Sequence, residues 1–365
     1  MKLRELTNFL ETLAPLAYQE DYDNSGLIVG EPNQDINGAI ISLDCTEAIL
    51  DEAITHGYNL VISHHPIVFK GLKKFNGKNY VERVVMKAIK NGVALYAIHT
   101  NFDNVLDGVN KKICDKLGVI QPRILKPRNG ELKKLVTFCP EKDAERVRNA
   151  MFNAGGGWIG DYSECSYNSE GLGTFKAGEG AEPYVGEIGR RHSEPEIRIE
   201  IIYPGYIERK LLAALIEAHP YEEVAYDLYP LSNSYQHVGS GMIGNLENDY
   251  DELEFLTFVK QKLNAKVIRH TAVTGKKIRR VAVCGGSGSF LLNNAISAGA
   301  DIFITADFKY HEFFDAEEKL IIADVGHFES EQFTQELLLE LITEKFRNFA
   351  LRLTTQNTNP INYLI

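Results

Sequence analysis

Two adjacent histidines, His64 and His65, follow the apolar run Leu60-Val61-Ile62 and stand just ahead of Pro66. The run reads as a buried strand that the proline ends. Consecutive strand residues point to opposite faces, so both imidazoles reach one point only if the chain turns there. A shared metal ion is a common reason to hold such a turn, although a lone histidine at a strand end is more often structural. Further histidines and carboxylates fall where other strands end: His99 and Asp103 after Val93–Ile98, Asp307 and His311 after Asp301–Thr305, His327 and Glu331 after Leu320–Asp324. His327 and Glu331 are four apart at a helix start and so share a face, where one ion can touch both. Imidazole with carboxylate and no thiolate suits zinc, manganese, iron or cobalt. Even three histidines and two carboxylates drawn from this set exceed what one tetrahedral ion uses, whereas two ions about 3.5–4 Å apart, bridged by a carboxylate such as Glu331, would use all five.

The elements that must position these groups can be read around them. Ala39–Leu43, the Leu60 run and Val93–Ile98 are strands, separated by helices from Thr46 to about His56 and from Tyr80 to Asn91, with another from Gly108 to Leu117. This βαβαβα pattern predicts a parallel sheet. Asp23–Gly30, ahead of it, reads as a polar turn entering a short strand. From about Ile124 the character changes. Lys133–Phe138, Glu141–Ala154, Ile197–Tyr203, Tyr206–Ala218 and Val224–Tyr229 alternate as strand, helix, strand, helix, strand, with an extended, exposed region before Ala177. Two βαβ units in that span predict a ferredoxin-like α+β insert over residues 126–234. The first pattern then resumes with strands at Val281–Cys284, Asp301–Thr305 and Leu320–Asp324 and a long helix from near Glu329 to Phe346. The expected architecture is two similar α/β halves, residues 1–125 and 235–365, forming one core interrupted by the insert.

Three other features admit bland readings. Gly285–Ser289 either cradles a phosphate on helix-end N–H groups or simply makes a tight turn. Lys309 either pairs with a phosphate or is simply solvated, the second being favoured, and His219-Pro220-Tyr221-Glu222-Glu223 reads as a structural turn. In bulk, the chain has 365 residues, 44% hydrophobic and 24% charged, with a formal net charge of −11. That acidic balance argues against a nucleic-acid surface. Five scattered cysteines without a C-x-x-C pair fit a reducing cytoplasm. No apolar run is long enough for a membrane span, and the amphipathic start (Leu3, Leu6, Phe9, Leu10, Leu13) is unlike a signal peptide.

Taken in order, D-N-x-G-L-x-V-G from Asp23 to Gly30, S-H-H-P, H-T-N-x-D, T-x-D-x-K-Y-H and G-H-x-x-x-E resemble the Nif-three-like dinuclear metal-centre family, the GTP cyclohydrolase I type two homologues. The resemblance covers essentially the whole chain, and an insert with H-P-Y-E-E and G-E-G-A-x-P is similar to the PII/CutA-like domain of the long-form members. One departure is Ala306, where the family commonly carries glycine. The resemblance implies metal ligands at His64, His65, Asp103, His327 and Glu331, and two divalent ions per subunit. It also implies a toroidal homohexamer whose metal pairs face an internal cavity. The expected function is a metal-dependent hydrolase of a nucleotide or phosphorylated small molecule, with His99 or His311 moving the proton. The alternative is a metal-binding regulatory or metal-handling protein without turnover.

Overall fold

The apolar runs ahead of the histidines form parallel strands in the computed structural model, which describes residues 1–364. The first sheet has the order Gly26–Val29, Ala94–Ala97, Leu60–Ser63, Gly38–Ser42, Ala350–Leu353. Its last four strands are mutually parallel. Gly26–Val29 runs antiparallel to Ala94–Ala97, so the sheet is not purely parallel as expected. This edge strand precedes the first crossover helix and can therefore join in the opposite sense. Leu60, Val61 and Ile62 are wholly buried, as a strand covered on both faces requires. The helices Glu47–Thr55 and Tyr80–Lys90 supply one cover through Ile49, Leu50, Val84 and Ala88. Each helix starts on a side-chain cap, with Thr46 accepting from the Ile49 N–H and Asn79 from the Glu82 N–H.

The second sheet repeats the plan. Its order is Arg269–His270, Ile321–Asp324, Ile302–Ala306, Lys277–Ser287, Ser234–Asp251, Ile120–Asn129. The Lys277, Ile302 and Ile321 strands are parallel, with an antiparallel edge at Arg269–His270. Each half thus offers the carboxyl ends of three parallel strands, the place where ligands collect in open α/β sheets. The halves are interlocked, because Ala350–Leu353 leaves the second and pairs with Gly38–Ile41 of the first. The expected long terminal helix is two helices, His327–Glu331 and Thr334–Lys345.

The chain divides into two units, Met1–Lys126 with Val238–Ile365, and Pro127–His237. In the second unit, strands Leu132–Pro140, Tyr167–Lys176, Arg191–Pro204 and Tyr226–Pro230 alternate with helices Ala144–Asn153 and Glu208–Ala218 as βαββαβ. Every neighbouring pair in its sheet is antiparallel. The region read as extended and exposed is the Tyr167–Lys176 strand. His219 is a turn residue there, its Nε2–H donating to the Phe138 carbonyl and its Nδ1 accepting from the Tyr221 N–H. All five cysteines are free, and among the described residues no helix is long and apolar enough to cross a membrane.

Candidate metal centre

His64 and His65 leave their strand side by side. Their N–H groups donate to the Ser42 and Leu43 carbonyls at the neighbouring strand end, and the Ser63 hydroxyl closes the turn on the His65 carbonyl. The two rings lie 4.9 Å apart, centroid to centroid. His99 stands 5.2 Å from both, and His327 5.3 Å from His65.

Each of these four imidazoles is held by its Nδ1. His64 donates to the Ile98 carbonyl at 2.8 Å, His65 to Asp44 at 2.8 Å, His99 to Asp23 at 2.7 Å and His327 to Asp307 at 2.6 Å. A carbonyl or carboxylate only accepts, so Nδ1 carries the hydrogen and Nε2 is left for the interior of the site. Three Nε2 atoms converge on Glu331, at 3.0 Å for His65, 3.1 Å for His327 and 3.8 Å for His64. The His327–Glu331 pair sits on one face of the short helix, as its i, i+4 spacing requires. Asp103 ends the Thr100–Asp103 helical turn, its carboxylate 3.7 Å from His64 Nε2.

Two buried atoms here have no hydrogen-bond partner, His64 Nε2 and Asp103 Oδ1. Such orphans are costly in a folded interior and call for an explanation. A divalent ion supplies one, because both are good ligands and they face each other. Three sets, His64 with His65 and His99, His65 with His327 and Glu331, and His64 with Asp103 and Glu331, each bring ligand atoms within 4.8 Å. His64, His65 and Glu331 each recur in two of the sets, so the three sets are overlapping parts of one cluster that could hold metal.

Charge supports the same reading. Burial opposes a charged His65, yet Asp44 and Glu331 on its two nitrogens outweigh it and push the ring up to about 10. His327 is likewise opposed by burial but raised to about 11 by Glu331 and Asp307. Asp103 is raised above the ordinary carboxylate value by its enclosure and by repulsion from Glu331. Protonated imidazoles therefore balance the carboxylates where cations would otherwise sit.

Some groups the sequence left unremarked complete the site. Asp23, read as part of a polar turn, is buried; its second oxygen accepts from the Thr100 N–H and the Ser25 hydroxyl. Burial opposes its charge, but hydrogen bonds from His99 and Thr100 hold it below the ordinary carboxylate value. Asp44 accepts from His65 on one oxygen and from the Thr358 hydroxyl, at 2.6 Å, on the other. The glycine loop resolves toward the tight turn. The Gly285 N–H donates to Asn110 and the Gly286 N–H to Ser330, so neither is left for a phosphate. Gly286 is there to make room, since a Cβ on it would lie 2.4 Å from Glu331 Oε1. His311 is not brought in by the fold of this chain. It lies exposed on the Tyr310–Ala316 turn, its ring against Tyr310 and Phe314.

Because Asp307 fixes the ring through which His327 would bind, Asp307→Asn is expected to weaken metal binding by roughly 10–100-fold while leaving the fold intact. Metal titration followed by calorimetry measures this, and unchanged affinity would remove Asp307 from the site.

Similarity to known proteins extends along the whole chain. A Bacillus subtilis (strain 168) protein named GTP cyclohydrolase 1 type 2 homolog is 35% identical over 371 residues, 99% of this chain and 98% of that one. A protein of the same name from Halalkalibacterium halodurans is 37% identical, covering 97% of this chain and 96% of its own. The crystal structure of a Bacillus cereus protein related to NIF3, 38% identical, superposes with a TM-score of 0.87 across 100% of this chain and 99% of the other. Since the profile of one family also matches residues 1–360 without a break, taking in every residue of the histidine–carboxylate cluster, this chain belongs to the Duf34/NIF3 (NGG1p interacting factor 3) family.

Proposed function

We propose that this protein is a metal-dependent hydrolase holding two divalent ions of zinc, manganese, iron or cobalt and acting on a nucleotide or other phosphorylated small molecule. One observation carries the reading. Four imidazoles are anchored at Nδ1, three of them turn Nε2 toward a single buried carboxylate, and most of this cluster borders a cavity of about 610 Å³. An open, substrate-sized space beside the cluster supports a site that takes a small molecule over one that only stores metal. His64, His65, Asp103, His327 and Glu331 would hold the ions, with Glu331 shared. When bound, such a pair supplies Lewis-acid polarisation and a water acidified toward neutrality. The protein's own part is positional. His64 is fixed by a backbone carbonyl and cannot swing. His65 and His327 are each fixed by a carboxylate. His99, with Nδ1–H on Asp23, offers Nε2 to accept the proton of an attacking water and return it to the leaving group. The βαββαβ topology of the insert supports its reading as a PII/CutA-like module appended to this core.

Elemental analysis of the purified protein, followed by a hydrolysis screen over a nucleotide panel with Glu331→Gln as control, tests the proposal. Two ions per chain and a rate absent from the variant are expected. Should protein loaded with each of the four metals turn over none of the panel, the regulatory reading replaces this one.

Metal loading also has a proton count. Below about pH 9 both His65 and His327 are charged in the metal-free protein, and ligation needs them neutral, so loading should release close to two protons. Affinity should therefore climb with pH until about 10–11, where the rings are already neutral. For metal-free stability the sign reverses: the gain from these charged rings is complete below the ordinary imidazole value of about 6.5 and is lost through about 10–11. Calorimetry at about pH 8 in buffers of different ionisation enthalpy counts the protons, and a release below one would exclude joint ligation by the two rings.

A further inference from the structure

The cavity beside the cluster has walls of two kinds. Tyr22, Phe69, Tyr80 and Phe290 line it, and each ring is largely exposed, between 47% and 69%. Large apolar rings left open around one cavity are unusual in a monomer unless they meet a ligand. Phe69 stands edge-on to His99, its centroid 5.6 Å away, which carries the aromatic wall up to the cluster itself. Apart from the histidines of the cluster itself, which ligation makes neutral, the charged lining is of one sign. Glu20, Asp44, Asp103 and Glu331 are all in the wall, and among the described residues no lysine or arginine is.

The cations nearby do not alter this. Lys126 stacks on the Phe290 ring, Nζ 5.7 Å from its centroid, outside the lining. The lysines of the 70–78 loop are exposed and also outside it. Arg269 lines a neighbouring cavity on the Asp307 side, but its guanidinium is committed to Asp324 and the Phe308 carbonyl. Polyphosphates are ordinarily met by Lys, Arg or a row of free N–H groups, and acidic walls repel them. Two dications only cancel the four wall carboxylates, so a phosphate that meets the metals directly can be held but no surplus of positive charge remains for a chain of them.

We infer that this site takes an aromatic or heteroaromatic compound carrying a single phosphate, its ring stacked among Tyr22, Phe69, Tyr80 and Phe290 and its phosphate on the metal side, and that it disfavours di- and triphosphates of the same ring. The inference rests on the proposed metal site and names the class of molecule that enters it. Stacking of a planar ring on aromatic side chains tolerates many ring identities, so the selection is for ring and charge more than for a particular base.

Binding, measured apart from turnover, tests it. Zinc-loaded full-length protein is titrated in a calorimeter with phenyl phosphate, the mono-, di- and triphosphates of adenosine and guanosine, and ribose 5-phosphate. The expected order places the aromatic monophosphates first, with affinity falling at each added phosphate and little binding of ribose 5-phosphate. Phe69→Ala and Phe290→Ala, both at exposed positions, should each weaken the aromatic monophosphates about tenfold with metal content unchanged. Glu20→Gln should narrow the gap between mono- and triphosphate. The inference is overturned if triphosphates bind more tightly than monophosphates, if ribose 5-phosphate matches the aromatic ligands, if neither Phe variant weakens binding, or if no aromatic monophosphate binds at millimolar concentration. A triphosphate that binds best and is hydrolysed would sink the inference and spare the hydrolase. Aromatic monophosphates that bind without turnover would do the reverse.

Discussion

Glu331→Gln is expected to leave a folded protein that no longer keeps its metals. The carboxylate is 2% exposed and meets Nε2 of His65 at 3.0 Å and of His327 at 3.1 Å. Burial opposes its charge, but His327 above all, with His64 and His65, outweighs that and holds it well below the ordinary carboxylate value. Gln keeps the shape and removes the charge. A neighbour of a metal ligand is worth 10–100-fold in affinity, so a shared ligand should cost roughly a hundredfold or more, and hydrolysis should fall at least as far. The metal-free form suffers too, because two charged imidazoles lose their common counter-ion, a loss felt more at the enclosed His65 than at the part-exposed His327. That deficit should shrink as pH rises through about 10–11 and the wild-type rings give up their protons. Metal content, melting temperature against pH, and hydrolysis rate report the three effects. A variant with two tight metals and an unaltered rate would mean that Glu331 does not bridge.

Gly286→Ala should be nearly as damaging, although it removes no ligand. Gly286 has φ +61°, where a side chain costs roughly 1–2 kcal/mol. Its Cβ would stand 2.4 Å from Glu331 Oε1 and 3.2 Å from His327 Nε2. The loop cannot back away cheaply, because the Gly286 N–H is bonded to Ser330 at 2.9 Å. The carboxylate must turn aside, and metal affinity should drop by about tenfold or more. Gly299→Ala is the control. Its φ is +72° with nothing within 4 Å of the added carbon, so it carries the backbone cost alone. If the two variants lose metal equally, the crowding at Glu331 is not what makes residue 286 a glycine.

The cluster was legible because its residue types are rare at strand ends and because the helical i, i+4 pair needs no tertiary knowledge. Its supports were less so. Asp23 meets His99 across 76 residues, and only strand pairing reveals that a polar turn and a histidine are neighbours. The fold shows the same division. Short β-branched strands announced themselves, whereas Ser234–Asp251, with Gly239, Gly241 and Gly244, has weak strand propensity and escaped notice. Two of those glycines are demanded from outside the segment: a Cβ on Gly241 would meet Leu291 and the Val283 carbonyl, and one on Gly244 would meet Val119. Ile120–Asn129 carries two prolines, which read as breaks but are tolerated because it is an edge strand. His311 looked equivalent to the other histidines by spacing alone, and exposure on a short helical turn set it apart.

The interlocking of the halves bears on how the protein is made. His65 and Glu331 are 266 residues apart in the chain, and the strand that ties the second half to the first comes later still. At a ribosomal rate of about 5–20 residues per second, His64, His65 and Asp103 emerge on the order of ten to fifty seconds before Glu331 does. Throughout that interval the nascent chain offers a metal only three of the five candidate ligands. An ion captured then has no Glu331 to retain it and can leave again. A complete set of candidate ligands therefore exists only once Glu331 has left the ribosome.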